Sequence, residues 1–264
     1  MAADVFPVLN APTWPAALSR YGLWGIVVGV VLAAVSGPLN RLGLTGFGTA
    51  LSVLGIGLLV TAIALLVSIV GFLAATAKGV PISKGAVALA IVVGLVLVGY
   101  LLSWLKTGMG VPPIHEISTD LDNPPAFVDI RPLRDKPGIN PVDYVREQPG
   151  RGGKTINVPD AQRKAYPDIQ PLVLPVSPDQ AFARVENAAK SLGLTIVAAV
   201  PAEGRLEATA TTFFFGFKDD VVARIRAEGS GSRIDLRSKS RVGLGDAGTN
   251  AKRVRALLAK VQAG

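Results

Sequence analysis

The sequence predicts a membrane-anchored α+β protein: three transmembrane helices, a proline-rich extended segment, then an antiparallel sheet of about four to five strands with two helices. Three observations predict it. Charge nearly vanishes from residues 1–106, which hold one acid and five bases, while residues 107–264 hold the other 18 acids and 22 bases. The apolar residues of the first part form three runs long enough to cross a bilayer. The last part repeats its apolar residues at strand and helix periods. The chain thus divides into an N-terminal tail (1–17), a three-helix region (18–106), a proline-rich segment (107–170) and an α+β core (171–264).

The first span, about 18–39, carries Leu23, Ile26, Val27, Val28, Val30 and Val31 and closes at Ser36-Gly37-Pro38. Tyr21 and Trp24 sit near one end, where an aromatic belt is expected. The second, about 48–77, lies in a run without a charge that is longer than a straight crossing needs, so it tilts or its ends emerge. Gly55, Gly57 and Gly71 in this run either let helices approach closely or are simply tolerated. The third, about 84–105, is framed by Lys84 and Lys106, with Tyr100 and Trp104 at its far end. Asp, Glu and His are absent from all three spans, which argues against proton-coupled transport.

Arg20, Lys78 and Lys84 flank one side of the expected membrane, and Arg41 and Lys106 the other. The positive-inside rule puts the first side in the cytoplasm and the C-terminal domain in the periplasm of a bacterial inner membrane. Residues 1–18 lack a basic stretch before the apolar run and contain Pro7, Pro12 and Pro15, so they do not read as a cleaved signal peptide.

The 264 residues suffice for one domain and an anchor. The mean hydropathy of +0.44 agrees with that division. With no cysteine, disulfides, zinc–thiolate sites and thiol nucleophiles are excluded. The net charge of +4 after residue 106 suits anionic headgroups as well as nucleic acid. For an anchored domain the lipid is nearer. Membrane lipids and other membrane proteins are the expected partners, nucleic acid is not, and no cofactor is expected.

Ten prolines in residues 107–170 forbid one long helix, and Ile114, Ile117, Phe127, Val128, Ile130 and Tyr144 suggest an extended chain packed over the following domain. Leu172–Leu174 reads as a strand. Ser177 caps a helix that begins at Pro178 and ends at Gly193. Strands follow at Leu194–Val200 and Arg205–Phe215, separated by a turn at Pro201–Gly204. Asp220–Glu228 and Arg233–Val242 both alternate around Gly229-Ser230-Gly231-Ser232, a hairpin. Facing Glu228 with Arg233 puts Ile225, Ala227, Ile234 and Leu236 on one face. The other face then pairs Arg226 with Asp235, Asp220 with Arg241 and Arg224 with Arg237. A final helix begins at Thr249 or Asn250.

No arrangement reads as a catalytic or metal site. His115, the lone histidine, has Ser118 and Thr119 close in sequence but no evident nucleophile pair. His115, Glu116, Asp120, Asp122 and Asp129 lack calcium-loop spacing, and Asp120-Leu121-Asp122-Asn123 reads as turn chemistry. Asp219 and Asp220 could be paired carboxylates for acid–base work, but Asp220 faces Arg241 in the expected register. Gly152-Gly153-Lys154-Thr155 lacks the first glycine and the preceding strand of a phosphate loop. Phe213-Phe214-Phe215-Gly216-Phe217 is core, or one of its faces meets the bilayer or a partner. Asp220, Asp235, Arg226 and Arg241 are expected to form a structural ion-pair network. Arg224, Arg237, Lys239 and Arg241 are the candidate anion- or partner-binding residues. Arg224 opposite Arg237 demands a neutraliser: an acid of the proline-rich segment, an acidic partner or a phosphate headgroup.

Three stretches resemble the family called domain of unknown function 1499, DUF1499. They are Ile114-His115-Glu116-Ile117-Ser118-Thr119-Asp120 with Asn123-Pro124-Pro125-Ala126-Phe127; Phe217–Ile225; and Asp235–Gly243 with Asp246, Gly248, Asn250 and Arg253. The resemblance spans about 112–262 and excludes the helices. It implies no activity. It does imply that the Asp220, Arg237 and Arg241 region belongs to the family pattern, which a buried salt-bridge network holding the proline-rich segment on the sheet would also produce. The expected function is a non-catalytic envelope protein, an accessory or interaction subunit of a larger membrane complex. The alternatives are a lipid- or anion-binding module and, third, a hydrolase using Asp219, Asp220 or His115.

Overall fold

The computed structural model describes residues 13–264, so most of the expected tail (1–17), and of the stretch read as no signal peptide, lies outside the described residues. The chain forms two compact units, one reaching Leu105 and one starting at Lys106.

In the first unit three helices are long and apolar enough to cross a membrane: α1 (Thr13–Arg41), α2 (Phe47–Ala77) and α3 (Lys84–Met109). Each contains its expected span. α1 and α2 meet along small residues. A Cβ on Gly22 would fall 2.6 Å from the Ser68 backbone nitrogen, and one on Gly29 2.6 Å from the Gly57 carbonyl oxygen. Gly57 and Gly71 both lie in this contact, whereas a Cβ on Gly55 would meet nothing within 4 Å. Two of the three noted glycines therefore serve close approach. Ile26, Ala64, Leu65 and Ala90 form a small apolar core. Val28, Val31, Leu59, Ile63, Leu66, Leu89, Val96 and Leu102 point outward. Outward apolar side chains on every helix are what lipid tails accommodate and water does not.

The second unit is an antiparallel sheet with helices on one face. It includes β1 (Glu116–Ser118), α4 (Arg131–Arg134), β2 (Glu147–Pro149), β3 (Thr155–Asn157), α5 (Val158–Ala165), β4 (Leu172–Leu174) and α6 (Pro178–Ser191). β5 (Thr195–Val200), β6 (Arg205–Thr211), β7 (Lys218–Glu228), β8 (Gly231–Ser240) and α7 (Thr249–Ala263) complete it. Six strands form the main sheet in the order β1-β8-β7-β6-β5, with β4 also pairing β8, and β2 and β3 make a separate ribbon. The sheet is wider than the expected four to five strands because Glu116–Ser118 of the proline-rich segment joins it. Beside β1, the Gln162 side chain of α5 accepts from the Ser118 N–H (3.0 Å) and donates to the Ser118 carbonyl (2.6 Å), as a neighbouring strand would.

Ile117, Leu206, Ala208, Val221, Ala223, Ile225, Ile234 and Leu236 face α6 and α7, whose Phe182, Val185, Val254 and Leu257 close the main core. Ser177 and Gln180 form a capping box at the start of α6. β6 ends at Thr211, not Phe215: the next residues turn, with the Thr212 N–H bonded to the Phe217 carbonyl at 2.8 Å.

The β7–β8 hairpin differs in register from the expectation. Glu228 faces Gly231, and Arg224 faces Asp235, not Arg237. The turn is two residues, with Gly229 at φ +58° in the glycine-first pattern of tight hairpins. Gly231 joins the ladder, where a Cβ would fall 3.2 Å from Pro175 Cα, so only glycine lets the chain after β4 pass this close. The displacement is two residues, so every side chain keeps its face while its partner changes.

Candidate functional site

The sheet face away from α6 and α7 carries Thr209, Glu207 and Arg205 on β6, Asp220, Val222 and Arg224 on β7, and Asp235, Arg237 and Lys239 on β8. Residues 119–146 lie over it. Charge buried at such a boundary must be paired and hydrogen-bonded, and four carboxylates organise the pairing.

Glu116 of β1 is buried and bridges two buried cations. Arg237 Nε donates to its Oε1, and Lys239 Nζ lies 3.0 Å from its Oε2. The remaining donors bind the overlying segment. Arg237 reaches the Pro125 carbonyl (3.0 Å) and the Val142 carbonyl (2.8 Å), and Lys239 the Asp143 carbonyl (2.7 Å). The Arg237 guanidinium also stands over Phe127, 4.8 Å from its ring centre. Burial pushes the Lys239 ammonium down to about 8, with Glu116 opposing the shift.

Asp220, fully buried, accepts from Arg134 of α4 (2.9 Å), from Arg241 through both oxygens (2.8 Å each) and from the Thr209 hydroxyl (2.8 Å). Arg134 continues to the Ser240 carbonyl (2.9 Å) and the Asn140 carbonyl (3.0 Å). Glu207 accepts from the backbone N–H groups of Val128 (2.7 Å) and Ile130 (2.8 Å) and pairs with Arg205. Phe127, Ile130 and Val222 fill the space between these polar anchors.

Nearer the hairpin turn, Asp235 accepts from Arg224 (2.9 Å), Arg226 (2.8 Å) and Arg233 (2.9 Å), and Asp120 adds contacts to Arg224 (3.1 Å) and Arg233 (3.3 Å). The arginines that face each other are Arg226 and Arg233, and Asp235, Glu228 and Asp120 of the proline-rich segment neutralise them. Asp120 also accepts from the Asn123 N–H at 2.9 Å, the expected turn chemistry.

On the helix side, Arg253 joins Asp219 (2.7 Å), the Ser238 hydroxyl (3.0 Å) and Asn250 (2.6 Å). The Asn250 amide reaches the His115 carbonyl (3.2 Å) and Ser240 (2.9 Å). Asp246 accepts from the Gly248 and Asn250 N–H groups at the start of α7. Burial raises its pKa although both bonds oppose the shift.

The expected pairs Asp220–Arg241 and Asp235–Arg226 therefore exist, but on the diagonal. Of the candidate anion-binding residues, Arg237 and Lys239 are buried on Glu116, Arg241 is held by Asp220 and Arg224 by Asp235 and Asp120. They form no open patch. His115 is buried, and neither ring nitrogen meets a hydrogen-bond partner. Burial, with the charges of Lys239 and Arg134, pushes its pKa down to about 4. Among the described residues no cluster of His, Asp and Glu is arranged to hold a metal ion. Arg134, Glu207 and Asn140 were missed. The alternation of Arg205, Glu207 and Thr209 with Leu206, Ala208 and Ala210 did signal a polar second face. Nothing local marks Arg134: apart from the Asn140 carbonyl, its partners are 86 and more residues away.

The model of the family described as "protein of unknown function (DUF1499)" matches residues 116–261. The chain belongs to the DUF1499 family. Its three signature stretches converge in the clusters just described. No curated protein matches. Among solved structures, the crystal structure of Ara h 8.0201 is 14% identical, covering 36% of this chain and 96% of that one, with a TM-score of 0.26. That of TTHA0849 from Thermus thermophilus is also 14% identical, covering 35% and 94%, with a TM-score of 0.23. Both likenesses are too slight to bear on fold or function.

Two outcomes are expected. Glu116→Ala leaves Arg237 and Lys239 buried without a counter-charge and costs about 3–5 kcal/mol in denaturant unfolding. Asp168→Ala, which breaks a solvent-exposed pair with Arg255, costs less than about 1 kcal/mol. A further outcome concerns pH. The folded state holds His115 neutral down to about pH 4, whereas an unfolded histidine protonates near 6.5. Between those values the unfolded chain binds more protons, so the contribution of His115 is full above pH 6.5 and falls on acidification by on the order of 3 kcal/mol. Measured from pH 7 to 4, His115→Gln shows a shallower decline than the unsubstituted chain.

Proposed function

We propose that this DUF1499 protein is a non-catalytic, membrane-anchored envelope protein, and that its three helices and folded domain act as an accessory or interaction subunit of a larger membrane complex. The observation that carries the reading is the internal use of charge. The acidic and basic residues of the family signatures neutralise one another across the sheet and bind the proline-rich segment. Their role is to hold a fold together, which leaves the protein's work to its surfaces. The outward apolar side chains of α1–α3 are wide enough to meet both lipid and other helices. With the positive-inside argument, the helices lie in a bacterial inner membrane and the DUF1499 domain in the periplasm.

Full-length protein extracted from its native membrane in mild detergent is expected to run, by native mass spectrometry, as a hetero-complex of fixed stoichiometry. A monomer whose crosslinks reach no other protein would overturn the reading. The absence of cysteine allows a direct test of sidedness. Ser230→Cys in the exposed β7–β8 turn is expected to react with a membrane-impermeant maleimide on intact spheroplasts. Labelling only after lysis would place the domain in the cytoplasm.

A further inference from the structure

The main sheet treats its two edges differently. At one edge the Gln162 side chain closes off β1 by occupying the Ser118 N–H and carbonyl. At the other edge lies β5, and among the described residues no strand pairs with its outer side. An edge strand presents a row of N–H and C=O groups ready to receive another chain, and folded proteins usually blunt it with charge, proline or a cover. β5 reads Thr195-Ile196-Val197-Ala198-Ala199-Val200, with no charge, no proline and β-branched side chains at four of its positions. Thr195 and Ala199 are exposed, and the other four residues are half-buried. The one irregularity is a bulge at Val197, beyond which residues 198–200 run in unbroken register with β6.

The charges at the two ends of β5 point to its occupant. Lys190, in the last turn of α6, stands at the start of the strand, where the Leu194 N–H bonds the Ala189 carbonyl at 3.0 Å. Glu203 stands at its end, in the short helical turn Pro201–Glu203. Both side chains are 58% exposed. Each keeps one partner in its own chain, Lys190 with Glu186 at 2.6 Å and Glu203 with Arg205 at 2.9 Å. Ion pairs at an exposed surface hold weakly, so both charges stay available to a second partner. A strand with a positive start and a negative end complements itself when reversed. Two copies laid antiparallel set Lys190 of each beside Glu203 of the other, twice over about a two-fold axis. A parallel pairing would set like charges together.

We propose that β5 is the contact between two copies of this chain, which pair antiparallel along it so that their main sheets join into one. Main-chain hydrogen bonds between the two edges supply the affinity, and the Lys190 and Glu203 charges fix the direction. The two α6 helices then flank the join on one face of the shared sheet, and the buried charge clusters remain as they are on the other. The inference depends neither on the accessory-subunit reading nor on how the helices and the domain are placed.

The absence of cysteine makes crosslinking a direct test. The full-length chain in mild detergent is prepared as two single-cysteine variants at exposed positions, Ser191→Cys at one end of β5 and Ala202→Cys at the other. A tag on one variant lets a gel separate the three possible dimers. With a short bismaleimide, the mixed pair is expected to crosslink and neither variant with itself. Ala199→Lys, which sets a charge on the exposed edge, is expected to raise the dissociation constant, read from the crosslinked fraction on dilution, by about tenfold or more. Lys190→Glu alone is expected to weaken the crosslink, and Lys190→Glu together with Glu203→Lys to restore it. No crosslink, or a crosslink of one variant with itself in place of the mixed one, would overturn the proposal. A mixed crosslink that survives Ala199→Lys would mean that the copies meet elsewhere and would reject it too, as would a charge exchange that fails to restore pairing. A hetero-complex holding a single copy of this chain would sink the dimer and leave the accessory-subunit reading standing.

Discussion

A carboxylate placed between two buried cations organises the DUF1499 domain. Glu116 alone would be far too costly to desolvate, and so would Arg237 and Lys239. Together they leave water because both cations share the Glu116 carboxylate and their nitrogens also reach carbonyls. Those carbonyls belong to Pro125, Val142 and Asp143. The same three side chains therefore pair with one another and secure some twenty residues of irregular chain over the sheet. Asp220 with Arg134 and Arg241, and Glu207 with the N–H groups of Val128 and Ile130, repeat the device along the face. A segment with so many prolines cannot satisfy its own backbone in helices or ladders. Charged side chains reaching up from the sheet supply what it lacks.

The same pairing joins the three stretches that resemble the family. Glu116, Asp120, Asp219, Asp220, Asp235, Arg237, Lys239, Arg241, Asn250 and Arg253 sit far apart in sequence and adjacent in space. Each is needed because its partner is. A buried ion pair is fragile to the loss of one member. Carboxylates and a histidine gathered near a sheet end resemble a catalytic assembly in one dimension. In three dimensions Asp219 and Asp220 are occupied by arginines, and His115 is walled in and neutral.

The long-range order was legible where one physical rule dominated. Uncharged runs gave the three helices, Ser177-Pro178 gave α6, and strict alternation gave β7 and β8 and assigned their faces. The register slipped by two because four small residues can make a loop of four or a turn of two. The decision was made outside the hairpin, by β4 and the chain after it passing close to Gly231. The need for a neutraliser opposite paired arginines was readable, and so was a source for it in the proline-rich segment. The identity of the pair was not. Arg134 and Glu207 were illegible because a side chain that bonds backbone 77 or more residues away leaves no local period.

The pairing of β1 with β8 has a consequence for the making of the protein. The first strand of the domain waits for a partner 121 residues later, and Asp219 waits for Arg253, 34 residues further on. Contacts so distant in sequence close slowly and late. While the ribosome is still adding residues, the early part of the domain has nothing to fold against. β1 therefore stays without its neighbour until β8 has been made, and the six-stranded sheet closes in one late step.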